Sequence, residues 1–272
     1  VIFLDVGQGD CCLVQTASGV TYLFDCGSSS RSQVGKYVLL PALKYYGIRS
    51  LDGIFLSHPD TDHMSGILEL LQLAGENHLT VKQLILPAVE ERAREEAFGE
   101  LLAAADGVGK DRGGDVRVAW LGAGDAWNCG EVHFLCLHPV AGCSGSEGNV
   151  YSECIYADFG SFSLLLTGDV EGAGEQALLA ELQRRELSDV TVLKTAHHGS
   201  RNSTPEQFLA QLRPRAAVIS CGQNNRYGHP HEELLERLEK AGSHVFRTDF
   251  SGAVVLEAEG EQVEMRYYTA LQ

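Results

Sequence analysis

Short apolar runs alternate with amphipathic stretches along the chain, and this alternation predicts an α/β (α+β) protein. Helical periodicity predicts helices at residues 38–46, 64–74, 90–105, 171–185 and 232–241. Runs rich in Val, Ile, Leu and Phe predict strands at residues 1–6, 11–15, 22–27, 53–56, 83–87, 116–121, 131–137, 155–159, 162–166, 190–194, 216–220, 244–248, 252–257 and 263–268. The strands fall into two successive blocks, each with its own helices, so we expect two mixed sheets packed face to face with helices outside. The Gly- and charge-rich residues 107–115 indicate a mobile connection.

Length and composition allow one large hydrophobic core. The chain has 272 residues, of which 44% are hydrophobic, and we expect residues 1–272 to form a single domain. The sequence contains neither an apolar run long enough to span a bilayer nor a charged-then-apolar leader, which favours a soluble chain. It opens on Val1 inside a strand-like run, which indicates a processed protein or a domain cut from a longer one.

The net charge of −16 argues against a surface that wraps a polyanion through general attraction. Any contact with nucleic acid would then be local, through bound cations and a few basic side chains. Lys194, Arg201 and Arg226 flank the polar motifs described below and are candidates for meeting phosphates, although we expect at least one of them to be only solvated.

The eight cysteines show no CxxC pair and no zinc-ribbon spacing. Several lie in strand-like runs, where a cysteine usually acts as a small buried hydrophobe. A bridge between Cys129 and Cys143, or between Cys143 and Cys154, is left open by the sequence.

One loop concentrates side chains that can bind a metal ion. The segment S-H-P-D-T-D-H at residues 57–63 lies between a predicted strand and a predicted helix and carries His58, Asp60, Asp62 and His63. Two acids and two imidazoles this close would repel each other or stay unsatisfied if buried alone, and a divalent cation satisfies all of them. The alternative is a solvated, acid-rich helix cap.

Further acids and imidazoles follow other predicted strands. Asp169 ends the run L-L-T-G-D, His197 and His198 follow the strand at residues 190–194, and His229 lies on a Gly-flanked loop. Each signal is weak by itself, because T-G-D is also a plain helix cap and a His-His pair is often structural. Together they supply acids and imidazoles from separate strands that could converge at one edge of the fold, which favours a metal site.

These motifs resemble the metallo-β-lactamase superfamily, whose signature is H-x-H-x-D-H on a strand-to-helix loop. More narrowly, F-L-D-V-G-Q-G-D at residues 3–10, the S-H-P-D-x-D-H loop, L-L-T-G-D and H-H-G-S resemble the lactamase-like domain of ComEC-type competence proteins. The resemblance implies an αββα sandwich with the site at one edge between two sheets. It implies cleavage of nucleic-acid phosphodiester bonds by metal ions, acting on the strand not taken up during DNA import.

The resemblance also implies a ligand set. His58 and Asp60 would hold one ion, Asp62, His63 and His198 a second, with Asp169 bridging them and Asp25 supporting the ligand loop. The sequence departs from the usual pattern at Asp60, which replaces a histidine, and at Asn149, where a histidine ligand would be expected. Asn149 is instead a candidate for binding substrate. Oxygen ligands favour manganese over zinc, with magnesium or zinc as alternatives, and one or two ions are expected. No small organic cofactor is expected.

The implied roles complete the expectation. Asp62 would orient water as well as bind metal, and His229 would contact phosphate or protonate the leaving oxygen, unless it only caps the helix after Pro230. His197 either contacts a metal ligand from outside or binds the metal ion itself. The expected partners are DNA, in single-stranded form, and the membrane domain of a bacterial parent protein, with this domain on its extracellular side. The alternatives are another metallo-hydrolase, such as a small phosphodiesterase or a phosphorylcholine-type esterase, or a DNA-binding module with a degraded site.

Overall fold

The computed structural model describes residues 1–74, 77–112, 116–143, 148–259 and 262–268. Most of the strands belong to two large sheets. The first sheet has eight strands in the order β17-β16-β1-β2-β3-β5-β7-β8, and the second has seven in the order β15-β14-β13-β12-β11-β10-β9. The strands are β1 Ile2–Phe3, β2 Cys11–Gln15, β3 Thr21–Cys26, β4 Ser50–Leu51, β5 Gly53–Phe55, β6 Thr80–Val81, β7 Gln83–Pro87, β8 Arg117–Leu121, β9 Ala126–Cys129, β10 Val132–His138, β11 Cys154–Phe159, β12 Phe162–Leu166, β13 Val192–Lys194, β14 Ala216–Ile219, β15 His244–Arg247, β16 Ala253–Glu259 and β17 Gln262–Tyr268.

Both sheets are mixed, as the sequence predicts. In the first sheet β3, β5, β7 and β8 are parallel and the remaining pairs are antiparallel. In the second sheet β12, β13, β14 and β15 are parallel, whereas β9 to β12 form an antiparallel meander. The short strands β4 and β6 pair separately.

The helices connect the parallel strands. They are α1 Leu40–Tyr45, which continues a π-helical turn at Gly35–Leu39, α2 Thr61–Ala74, α3 Glu91–Arg112, α4 Ala173–Arg184, α5 Glu206–Leu212, α6 Glu232–Lys240 and the single turn α7 Thr248–Ser251. Within the described ranges, no helix is long and apolar enough to cross a bilayer.

Three layers of buried side chains separate four layers of secondary structure. The central layer holds residues from both sheets, among them Phe24, Phe55, Phe134, Leu164 and Val218. A second layer packs α1, α2 and α3 against the first sheet, and a third packs α4, α5 and α6 against the second. Side chains alternate between the two faces of a strand, so each sheet serves two layers at once. The expected αββα order of layers is therefore confirmed.

Several boundaries differ from the sequence prediction. The predicted strand at residues 1–6 pairs only through Ile2 and Phe3, because the chain then turns toward β2. Helix α3 continues through residues 107–112, so the predicted connection is wrong there, and residues 113–115 lie outside the described residues. The pattern also missed the seven-residue helix α5, whose core contacts come from Phe208, Leu209 and Leu212. All eight cysteines are unpaired, so neither bridge left open by the sequence forms.

Candidate metal centre

Polar side chains meet at one edge of the sandwich because the carboxyl ends of the parallel strands lie there. In the first sheet β3 ends at Asp25 and Cys26, and β5 is followed by the loop of residues 57–63. In the second sheet β12 is followed by Asp169, and β13 by His197 and His198. The sheet order places β3 next to β5 and β12 next to β13, so these ends are neighbours in space.

Asp10 reaches the same edge from the opposite direction. It precedes β2, which runs antiparallel to β3, and the next residue, Cys11, pairs with Cys26. The hairpin packs closely on the start of α2, where Asp10 N–H donates to Asp62 O over 3.0 Å. A Cβ atom at Gly27 would lie 2.5 Å from backbone atoms of Asp62 and His63, so only glycine fits. The sequence analysis included Asp10 in the motif at residues 3–10 but assigned it no role at the site.

Four buried side chains form one compact cluster: Asp10, His63, Asp169 and His198. One possible ligand atom from each lies within 4.8 Å of those from the other three. The two Nε2 atoms of His63 and His198 are 3.3 Å apart. Asp169 Oδ2 is 3.2 Å from His63 Nε2 and 3.3 Å from His198 Nε2. His63, His198 and Asp169 therefore present nitrogen and oxygen atoms to one point. Asp10 lies on the other side of the rings, with its oxygens 3.8 Å from His63 Nδ1 and 3.4 Å from His198 Nδ1.

The hydrogen bonds behind the two imidazoles fix which nitrogen faces the cluster. His63 Nδ1–H donates to Asp25 Oδ2 over 2.9 Å, and His198 Nδ1–H donates to Ser220 O over 3.0 Å. Both Nε2 atoms therefore face each other beside the carboxylate of Asp169, where they share protons with the acids or, once deprotonated, offer lone pairs to a cation. A hydrogen bond from Nδ1–H to a carboxylate or a carbonyl is the usual support of metal-binding histidines.

Asp25, which supports the His63 imidazole, is itself held by further hydrogen bonds. Its carboxylate accepts the Ser57 N–H and the Ser57 hydroxyl, each over 2.7 Å, in addition to the bond from His63. Its backbone adopts a φ of 52°, in the left-handed region that side chains other than glycine adopt rarely. Three hydrogen bonds to one buried carboxylate offset that local strain and tie the end of β3 to the ligand loop.

The electrostatics of the cluster favour a positive charge at its centre. Burial acts to lower the pKa of His63, but the negative charges of Asp169 and Asp25 outweigh it and raise that pKa well above its usual value. The pKa of His198 is likewise raised well above the usual value, by Asp169 and Asp10 against the effect of burial. Burial would raise the pKa of Asp169, yet the two imidazoles hold it well below its usual range. Nitrogen and oxygen donors in a negative environment fit a divalent metal ion.

Lys194 is part of this buried network. It is 3% exposed and forms an ion pair with Asp10 Oδ2, while its ammonium donates to Gly168 O over 3.0 Å and lies 3.8 Å from Asp169 Oδ1. Burial acts to lower the pKa of Lys194, but Asp10 and Asp169 raise it. The sequence named Lys194 as a candidate for meeting phosphate, and in the structure its ammonium is enclosed by protein and neutralises two acids of the cluster.

The structure separates the predicted ligands of the S-H-P-D-T-D-H loop. Asp62 is at the rim, with Oδ2 3.5 Å from His198 Nε2, and its pKa is lowered to about 2 because the hydrogen bond from His198 and nearby imidazoles outweigh burial. His58 is fully buried, with its ring centroid 4.1 Å from that of His63. Its Nε2 has no hydrogen-bond partner among the described residues and lies 3.6 Å from Oδ2 of the half-exposed Asp60. His58 and Asp60 thus form a separate pair beside the cluster.

The two adjacent histidines after β13 take different positions. His198 is 1% exposed and points into the cluster, whereas His197 is at the rim with Nε2 4.0 Å from Asp169 Oδ2. His197 Nδ1 bonds Glu171 Oε2 over 2.8 Å, and the Glu171 N–H donates to Asn149 O over 3.3 Å. The φ angles of 49° and 52° at the two histidines turn their rings in different directions. Of the described residues, the four-residue cluster includes His198 and not His197.

His229 lies beyond His197 on the open side of the cluster. Its ring centroid is 5.5 Å from that of His197 and 6.4 Å from that of His198. The side chain of Asn225 fixes its backbone, accepting the His229 N–H over 3.0 Å. Burial and then the neighbouring imidazoles lower the pKa of His229 to about 4, so its ring is neutral at neutral pH. A neutral ring can hydrogen-bond a phosphate oxygen.

The two predicted arginines are exposed and held by different partners. Arg201 Nη1 pairs with Glu233 Oε1 at 2.6 Å, with both side chains about half exposed. Arg226 is exposed beside Tyr227 and lines a groove that also contains Asp60 and Asp62. Arg226 is therefore the better placed of the two to meet a substrate bound at the cluster.

Sequence reasoning missed Asp10 and Glu171. Asp10 belongs to the F-L-D-V-G-Q-G-D motif, and its position at the start of a predicted strand was the available signal. Glu171 follows T-G-D by two residues and carried no signal apart from that spacing.

The chain is similar to known proteins both in sequence and in fold. The sequence profile described as "Metallo-beta-lactamase superfamily" matches residues 4–223. The chain is 33% identical to "ComE operon protein 3" of Bacillus subtilis (strain 168), over 93% of this chain and 32% of that protein. It is 32% identical to "Competence protein ComA" of Neisseria gonorrhoeae, over 92% of this chain and 31% of that protein. The chain thus spans about a third of the length of these curated relatives.

The fold is similar to a solved structure, that of the metallo-beta-lactamase fold protein YhfI from Bacillus subtilis. The two superpose with a TM-score of 0.54 and 13% sequence identity, over 97% of this chain and 98% of that one. At this identity the likeness concerns the fold alone.

Proposed function

The chain belongs to the metallo-beta-lactamase superfamily, and from that premise we propose that it is a metal-dependent hydrolase that cuts phosphodiester bonds in DNA. The match over residues 4–223 confirms the resemblance of its motifs, and its relatives include a protein named for competence. The observation that carries the proposal is the pair of facing imidazole Nε2 atoms with Asp169 between them, because this arrangement calls for a cation at a strand-end edge of the fold.

His63, His198 and Asp169 would hold the ion, with Asp62 at the rim as a further ligand, and Asp10 would support the two imidazoles from their Nδ1 side. A bound divalent ion lowers the pKa of a coordinated water and neutralises a phosphate oxygen during in-line displacement. The donor set is rich in oxygen, so we propose manganese, with magnesium and zinc as the alternatives. A second ion, if one binds, would use the neighbouring pair His58 and Asp60.

The protein's own groups would position the reactants. Asp62 is ionised at neutral pH and lies at the rim of the cluster, so it would accept a hydrogen bond from the attacking water and orient it. Asp25 and the Ser220 carbonyl keep the two imidazoles in the tautomer that faces the cluster. His229, as a neutral ring, would hydrogen-bond the phosphate, and His197 would be held for the same purpose by Glu171. Lys194 would fix the orientation of Asp10.

We place this activity in a larger protein. The chain corresponds to about a third of each competence-related relative, so we propose that it is one domain of a DNA-uptake protein with a membrane domain. In that setting, on the extracellular side, it would degrade the strand that is not imported. The net charge of −16 then requires that DNA be held locally by the metal site and the nearby Arg226.

The decisive experiment is hydrolysis by EDTA-treated protein to which manganese, magnesium or zinc is returned separately. The substrates are single-stranded DNA, double-stranded DNA, bis-p-nitrophenyl phosphate and nitrocefin. We expect manganese to restore DNA cleavage best. Hydrolysis of bis-p-nitrophenyl phosphate without DNA cleavage would identify a small phosphodiesterase instead. Protein that binds metal and DNA but hydrolyses none of the four would be a binding module.

A further inference from the structure

An open groove leads from the surface to the candidate metal centre. It encloses about 830 Å³ and ends at Asp60 and Asp62. One wall is the serine-rich loop of residues 28–33, and the facing wall is formed by Arg226 and Tyr227. Because Asp62 at the rim of the cluster also lines this groove, a chain-like substrate could approach the cluster along it.

Tyr227 presents an aromatic ring in this groove. The side chain is 43% exposed, so part of its ring can be reached from the groove. Its ring stacks on that of His229 with centroids 5.7 Å apart and planes 23° apart. The ring of His229 in turn neighbours those of His197 and His198. A continuous row of rings thus joins the groove to the metal-binding cluster.

Arg226 adds a phosphate-binding group to the same place. Its guanidinium lies 4.8 Å from the centroid of the Tyr227 ring, and Nη2 donates to the Tyr227 hydroxyl over 2.5 Å. The side chain is exposed, so it can move to a phosphate at little cost. Across the groove, Arg31 is exposed and pairs with Asp5, and Ser32 carries an exposed hydroxyl. An aromatic face together with a guanidinium and hydroxyls is the combination that binds single-stranded nucleic acid.

We propose that Tyr227 is the stacking platform of a nucleotide subsite, which makes the enzyme select an unpaired nucleotide next to the bond that is cut. This inference rests on the proposed function. In a duplex both faces of each base are covered by neighbouring bases, so only an unpaired nucleotide can offer a face to Tyr227. Stacking is also insensitive to charge, so it provides affinity that the acidic chain cannot obtain from general attraction to phosphates.

The test compares two substrates and four proteins. The substrates are a fluorescein-labelled oligothymidylate and an abasic chain of the same length, with the same phosphates but no bases. The proteins are wild type, Tyr227→Ala, Tyr227→Phe and the control Tyr267→Ala, which removes a tyrosine that is 60% exposed on β17 at the edge of the first sheet. KM and kcat are measured with manganese, and Kd by fluorescence anisotropy with calcium.

We expect Tyr227→Ala to raise KM and Kd for the oligothymidylate about 10-fold, the effect of losing one base–aromatic stack. The preference for the base-containing chain over the abasic chain should fall by the same factor. Tyr227→Phe should retain that preference because it keeps the ring, and Tyr267→Ala should match wild type. A purely structural role of Tyr227 would weaken binding of both chains equally and would refute the inference.

The same measurements separate a failure of the proposed function from a failure of the Tyr227 subsite. If the wild type shows no metal-dependent cleavage of DNA, the proposed function is wrong, while the Kd values still decide whether Tyr227 binds a base. If the wild type cleaves DNA and Tyr227→Ala keeps the wild-type preference for bases, the subsite is wrong and the proposed function stands.

Discussion

Replacing Lys194 by methionine tests whether its ammonium acts as the internal counter-ion of the acidic cluster. Lys194 is fully enclosed, pairs with Asp10 and faces Asp169 at 3.8 Å. Methionine has a similar length and no charge, so Lys194→Met leaves both carboxylates without the ammonium while the packing is largely kept.

The expected cost follows from the burial of these groups. Removing one partner of a buried ion pair costs about 3–5 kcal/mol, because the remaining charge stays buried without compensation. For a protein of this size such a loss lowers Tm by about 10 °C. A divalent ion held by Asp169, close to Asp10, supplies the missing positive charge. The variant should therefore gain more stability from manganese than the wild type gains.

The assay is thermal unfolding of both proteins in EDTA and in saturating manganese. Lys82→Met is the matched control, since Lys82 pairs with Asp52 at 2.5 Å while its side chain is 53% exposed. Such a surface pair contributes at most about 1 kcal/mol, and its loss should not depend on manganese. If Lys194→Met loses the same Tm in EDTA and in manganese, or loses none in EDTA, the ammonium does not neutralise the metal-binding acids.

Three other substitutions test separate parts of the structure. Asp169→Ala should abolish DNA cleavage and lower the bound metal measured by elemental analysis, with the fold retained by circular dichroism; full metal content with full cleavage would remove Asp169 from the site. Asp25→Asn should weaken manganese binding in calorimetry by about 10- to 100-fold, because asparagine has one acceptor oxygen and cannot accept from both the Ser57 N–H and the His63 N–H; unchanged affinity would show that this support is dispensable. Glu175 is buried, which raises the pKa of its carboxyl to about 7. The folded state therefore favours the neutral carboxyl, whose stabilising effect is fully present below about pH 4.5 and is lost as the pH rises through 7. Glu175→Gln should therefore stabilise the protein above pH 7 by roughly 3 kcal/mol and flatten the pH dependence of denaturant unfolding, whereas parallel curves would contradict the shifted pKa.

Much of the candidate site could be read from local patterns. A polar loop between a buried strand and an amphipathic helix located His63, and T-G-D after an apolar strand located Asp169. Such signals are local because a strand end and the turn that follows it are encoded by adjacent residues. The same patterns located His58 and Asp60, yet the fold places these two beside the cluster and not within it.

Local sequence patterns specify the elements and the kinds of side chain at their ends, because hydrophobic periodicity and turn residues act over a few neighbouring positions. Which ends meet depends on how the elements pack in three dimensions. Asp10 joins the cluster because β2 runs antiparallel to β3, and Lys194 becomes a buried counter-ion because β13 ends beside that hairpin. His198 and not His197 faces the centre because two successive left-handed residues turn the chain there. Each of these outcomes depends on strand order, register and packing between residues far apart in the chain, which no local pattern encodes.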